Sequence, residues 1–150
     1  MAVPIEDALR TFLLTLDAVT ALVGTEDTAR IRPDKLEEDD DETEEHVILE
    51  VDNEEPQNDL EGEGGLVYAD VTVRCRAATK AAARALAEAV RTNNTDPGSG
   101  LAGYHGTAGG LTFDAHLEDQ VPSFTPAGEG SDRGYYDVHC NYKVSFAETI

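Results

Sequence analysis

The side chains able to do chemistry in this sequence are four histidines, two cysteines, four serines and a run of carboxylates, and none stands at a catalytic spacing. His46, His105, His116 and His139 make no HxH, HExxH or HxxxH pattern, so no zinc-type ligand pair can be drawn. His46, His116 and His139 fall on the polar parity of strand-like stretches, which predicts solvated imidazoles. Cys75 and Cys140 have no CxxC partner and lie on apolar parities, which predicts buried free thiols, with a facing pair open if their strands are neighbours. No nucleophile-elbow sequence surrounds Ser99, Ser123, Ser131 or Ser145. Gly62-Glu63-Gly64-Gly65 lacks the lysine and spacing of a phosphate loop and reads as a hairpin connection. Asp39-Asp40-Asp41 lacks the ligand spacing and the glycine of a calcium loop, so it would gather cations diffusely. The sequence therefore offers no catalytic residue, no cofactor site and no metal site, and an enzyme is not expected.

The elements that must position these residues follow from periodicity. Residues 4–23 read as helix, with Pro4 in the first turn and Leu9, Phe12, Leu13 and Leu16 at helical spacing; Asp17 is placed to cap a short second turn that Gly24 closes. Arg30–Pro33 is a short extended piece. His46–Asp52 alternates as a strand, and Asn53–Gly65, with Pro56 and three glycines, reads as a turn-rich connection. Leu66–Ala77 is the clearest strand, with Val67, Ala69, Val71, Val73 and Cys75 on one face and Tyr68, Asp70, Thr72, Arg74 and Arg76 on the other. Thr79 caps a helix over 80–92 whose stripe is Ala83, Leu86, Ala87 and Val90. Residues 93–110 read as loop, Leu111–Leu117 as strand, the Pro/Gly-rich stretch from Pro122 to Gly134 as loop, and Tyr135–Phe146 as the last strand. The order predicts one α+β domain over residues 1–150: an antiparallel or mixed sheet of four to five strands with two helices packed on one face.

Composition narrows the function classes. The 150 residues carry 31 acids against 11 cations, a net charge of −20. Phosphate binding needs clustered Lys and Arg, so non-specific DNA binding is not expected. No run of 18 apolar residues is present, and the first residues lack the basic and apolar regions of a secretory signal. Eight acids fall in 37–45, which cannot pack and is expected to form a mobile loop, yet the other 23 still outnumber the cations two to one. With three lysines and no tryptophan, the chain resembles proteins of extreme halophiles, whose charge is screened in concentrated salt.

Four segments together resemble the tail-completion, or tail-terminator, proteins of long-tailed viruses. The first is Glu6-Asp7-Ala8-Leu9-Arg10 with Ala18-Val19-Thr20-Ala21-Leu22-Val23-Gly24, followed by Arg30-Ile31-Arg32-Pro33-Asp34-Lys35-Leu36. The second runs from Asn58-Asp59-Leu60-Glu61-Gly62 into Ala69-Asp70-Val71-Thr72-Val73-Arg74-Cys75. The third is the helix from Ala78-Thr79-Lys80 through Arg91; the fourth is the loop at Pro122–Pro126 before an alternating aromatic strand. The acidic insert at 37–45 replaces a loop that is usually shorter and richer in proline.

The resemblance implies a structural virion protein, assembled in the host cytoplasm, that forms a six-membered ring at the head-proximal end of the tail. Such a ring stops tube polymerisation and joins the tail to the neck. The implied partners are further copies of itself, the major tail tube protein and a neck or head-completion protein, with DNA passing through the lumen unbound and no membrane. Residues expected to carry interactions are Asn58, Asp59, Leu60 and Glu61, Arg74 and Arg76 on the polar strand face, and Tyr104 and His105 in the long loop. Other readings are a stopper or neck connector, a soluble acidic cation-binding or regulatory module, and a small hydrolase, which the missing nucleophile and base argue against.

Overall fold

The computed structural model describes residues 4–25, 29–33, 45–59, 62–93, 98–125 and 135–147. Its elements are α1 (Ile5–Leu13), α2 (Asp17–Val23), β1 (Ile31–Pro33), β2 (His46–Asp59), β3 (Gly62–Ala77), α3 (Lys80–Thr92), β4 (His105–Ala108), β5 (Leu111–Thr125) and β6 (Tyr135–Ala147). The class is α+β, as expected, but the described residues hold six strands and three helices. The sheet order is β1-β2-β3-β6-β5-β4. It is mixed, because β1 runs parallel to β2 while every other pair is antiparallel.

The three helices cover one face. Ile5, Ala8, Leu9, Phe12 and Leu13 of α1, Ala18, Val19 and Val23 of α2, and Ala83, Leu86, Ala87 and Val90 of α3 are buried against Val47, Leu49, Val71, Val73, Phe113, Tyr142 and Val144. Every inward residue expected for β3 between Val67 and Cys75 is buried, so the alternation does point one row at the helices. The two thiols are both buried and free on this face. The register sets Cys75 opposite Val138 and Cys140 opposite Val73, so the two are diagonal neighbours on adjoining strands. Hydrogen bonding to Cys140, followed by burial, holds the Cys75 thiol above its ordinary range.

The first two helices are separated by a break at Leu14–Leu16, where Thr15 Oγ1 donates to the Phe12 carbonyl at 2.6 Å. The expected cap from Asp17 is not formed: α2 starts at Asp17, and the preceding Leu16 supplies no side-chain acceptor. Asn93 does the work from a distance. Its Oδ1 accepts from the Ala18 N–H at 3.1 Å, and its Nδ2 donates to Ser99 Oγ at 2.8 Å. The same residue ends α3 in the left-handed conformation (φ 48°), which asparagine tolerates better than most side chains. One buried side chain thus ties the end of α3 to the start of α2. Asn93→Ala is expected to lower stability by about 2 kcal/mol, through a lost cap and left-handed strain. Asn93→Gly, which relieves the strain alone, should lose less; urea melts of the two variants check the order.

Three strands are longer than the sequence suggests. Residues 53–59 continue β2, and 62–65 begin β3, so the expected connection is the far end of a long hairpin. Residues 118–125 continue β5 past the expected end at Leu117. The loop expected over 93–110 contains β4, joined to β5 by Gly109-Gly110 at φ 60° and 82°, the left-handed pair of a tight hairpin turn. Residues 37–44, most of the acidic run, lie outside the described residues.

Candidate functional site

The sheet face opposite the helices carries a ladder of polar rows, read directly from the strand register. Arg76 pairs with His46 and Asp137, and Asp137 pairs with Ser123. The next row is Ile48, Arg74, His139 and Val121, and the one after is Glu50, Thr72, Asn141 and Asp119. Nearest the long hairpin stand Glu55, Tyr68, Ser145, Asp114 and His105.

Asp137 is the hub of this face. Only 3% exposed, it accepts from Arg76 Nε at 2.8 Å and from Arg74 at 3.1 Å. Arg74 also donates to Glu50 at 2.5 Å, and Arg76 lies 3.9 Å over the Tyr135 ring. Burial works against the Arg74 charge, but the hydrogen bonds to Glu50 and Asp137 and their negative charges outweigh it and hold the guanidinium above its ordinary value. Further along, Thr72 Oγ1 donates to Asp52 at 2.5 Å, and Asn141 Nδ2 donates to Asp119.

The expected interaction residues fall in three separate places. Asn58 and Asp59 end β2 at the tip of the long hairpin, where they pair with Glu63 and Gly62; Leu60 and Glu61 lie outside the described residues. Arg74 and Arg76 sit at the middle of the polar face, engaged in the ion pairs above. Tyr104 packs its ring 4.1 Å from Phe12 and 5.1 Å from Phe113, centroid to centroid, so it anchors the edge to α1. His105 is exposed on β4, with Nδ1 against the Asp114 carboxylate. Asp137 was missed by sequence reasoning: its polar parity was visible, but its pairing with two arginines from 61 and 63 residues away needed the register.

His46 corrects an expectation. It is fully buried, and Ile48, Arg76 and Asp137 are buried beside it, so this part of the polar face is covered, while Ser123 and Val121 in the same rows on β5 are exposed. Parity gave the correct face and the wrong environment. His116, by contrast, is exposed. Among the described residues no group of three or more His, Cys, Asp and Glu side chains converges as a metal site.

On the same face Ser123 Oγ stands 3.4 Å from His139 Nε2, and that same nitrogen is 4.0 Å from Asp137, so the ring does not bridge the two as a proton relay would. Residues 7–96 match the family Tail completion protein gp17. The chain belongs to that family. The match spans α1 through α3, including the long hairpin and both arginines of the ladder. No curated protein sequence matches the chain. Among solved structures, a chain of the virion of a native gene transfer agent particle is similar at a TM-score of 0.61 and 15% identity. The likeness covers 97% of this chain and 95% of that one, so it extends the shared fold through β4, β5 and β6, beyond the family match. As a tail completion protein, the chain is a structural component of the virion tail.

Proposed function

We propose that the protein forms a ring, of six copies, on the head-proximal end of the tail tube, where it ends tube polymerisation and joins the tail to the neck and head. The observation that carries this reading is the tail completion family match over residues 7–96. The surface chemistry supports it: the described face offers ion pairs, and strand edges without a described partner, for protein contacts. Partners on this reading are the tail tube protein on one side and a neck or head-completion protein on the other.

The charge suits a passage for DNA. Each copy adds −20, so the ring as a whole repels phosphates and does not retain them. The test is assembly of tails with and without the protein. Its absence is expected to give tails of uncontrolled length that fail to join heads, and imaging of completed tails should place one ring at the head-proximal end. Tails of normal length that still join heads without it would overturn the reading.

A further inference from the structure

β5 is 15 residues long, but β4 pairs only with its first four, Leu111–Asp114. From Leu117 to Thr125 its outer side faces no strand among the described residues. Glu118 to Phe124 are all exposed. Val121 and Phe124, at 50% and 53% exposure, are two of the three exposed large hydrophobic residues among those described. Beside this edge, on the helix face, runs a groove of about 290 Å³ between Arg84, Glu88 and Arg91 of α3 and Gln120, Pro122 and Val138 of the sheet. Arg84 and Arg91 form no ion pair among the described residues, in a chain with nearly three carboxylates per cation. α3 carries Lys80, Arg84 and Arg91 against Glu88 alone, so it is a positive island on an anionic protein. An edge with no partner among the described residues and with half-exposed Val and Phe is a template for an added strand.

We propose that this β5 edge and the α3 groove receive, by strand addition, the outer edge of β2 over residues 51–59 of a second copy of this chain. Charge selects that occupant. Residues 53–59 of β2 hold Glu54, Glu55 and Asp59 and no cation, which complements Arg84 and Arg91. Backbone selects it too. β1 covers only Val47–Leu49 of β2, so from Val51 onward the outer edge of β2 has no described partner and can pair with the β5 edge. Pro56 and Pro122 each remove one donor, which restricts the register without closing either edge.

The two surfaces lie at opposite ends of the sheet. Phe146 pairs with Val67 near the hairpin, while Tyr136 pairs with Phe124 and Ala77 at the far end. They also lie toward opposite edges in the strand order. A contact between two different surfaces is head-to-tail, and head-to-tail contacts close into rings when the rotation permits. The inference rests on the ring reading above and names its contact.

The test uses the full chain at about 2–3 M NaCl, where surface repulsion is screened. The wild-type protein is expected to be oligomeric by light scattering. The double variant Val121→Asp/Phe124→Asp, at half-exposed positions and at the cost of the Phe124–Tyr136 ring contact at 4.7 Å, should stay folded at the assay temperature and dissociate at a protein concentration higher by about tenfold or more. Arg84→Glu should weaken assembly, and adding Glu54→Lys/Glu55→Lys to the same chain should restore it in part. Oxidation of chains carrying Val121→Cys together with Glu55→Cys should give a ladder of cross-linked oligomers, whereas Val121→Cys alone should give none. Wild-type-like oligomers from the Val121→Asp/Phe124→Asp variant would overturn this contact and leave the ring standing. Dimers from Val121→Cys alone would show a two-fold contact and overturn the β2 edge as occupant. A wild-type protein that stays monomeric, in solution and on tails, would remove the contact and the ring together.

Discussion

Asp137→Ala is expected to destabilise the fold by about 3–5 kcal/mol, the range for removing one partner of a buried ion pair. The physical reason is what remains. Arg76 is buried, and its guanidinium donates to both Asp137 oxygens, at 2.8 and 3.2 Å; the variant leaves a buried cation with one ring face, Tyr135, beside it. Arg74 keeps Glu50 and suffers less. For a domain of this size the loss corresponds to a fall of roughly 10 °C in Tm. Asp137→Asn keeps acceptor capacity without the charge and should lie between wild type and alanine. The pair Arg76→Met/Asp137→Leu should recover most of the stability, because it removes the charge together with its partner. Chemical melts at fixed high salt measure all three. An alanine variant within about 0.5 kcal/mol of wild type, the range of an ordinary surface change, would show that the hub does not hold the sheet.

The helices and the central strand were legible in the sequence because each rests on a local signal. Thr79 caps α3 through its Oγ1, 3.1 Å from the Ala82 N–H, and Asn93 ends it, so the expected range of 80–92 is the observed one. The long strand ends were not legible, and the cause is common to both. β2 carries a bulge between Val51 and Asn53, and β5 carries one between Leu117 and Asp119. A bulge shifts the side-chain parity by one, so an alternation read along the chain stops there although the ladder goes on. Pro56 and Pro122 strengthen the false ending, yet each lies where one side of its strand has no described partner, the setting in which a sheet tolerates proline. β4 has four residues and a glycine, too few for an alternation to register. The candidate site was less legible than the fold. Arg74 and Arg76 were picked out as outward-facing cations, but the hub that binds them and the burial of His46 depend on which strands are neighbours, which no local pattern carries.

Raising NaCl from about 0.1 M to about 1 M is expected to raise the Tm by roughly 10 °C, as the Debye length falls from about 10 Å to about 3 Å. Asp52, Asp70, Glu118 and Asp119 surround one depression of about 200 Å³ on the polar face, and the ion pair there is Lys143 to Asp70, at 3.4 Å. Other cations are already engaged: Arg74 and Arg76 hold Asp137, and Arg30 lies 3.9 Å from Glu45. Like charges lining one depression weaken the compact state until ions screen them. Two features separate this cause from a general effect of salt on hydration. Screening saturates once the Debye length is shorter than the charge spacing, so the Tm should level off near 1 M, whereas exclusion of salt from the surface would keep it rising through about 3 M. Asp119→Asn, which removes one charge while keeping an acceptor for Asn141, should raise the Tm at low salt and flatten the salt response. A Tm independent of salt would show that the acidic surface carries no stability penalty, and an unchanged slope in Asp119→Asn would place the repulsion elsewhere on the chain.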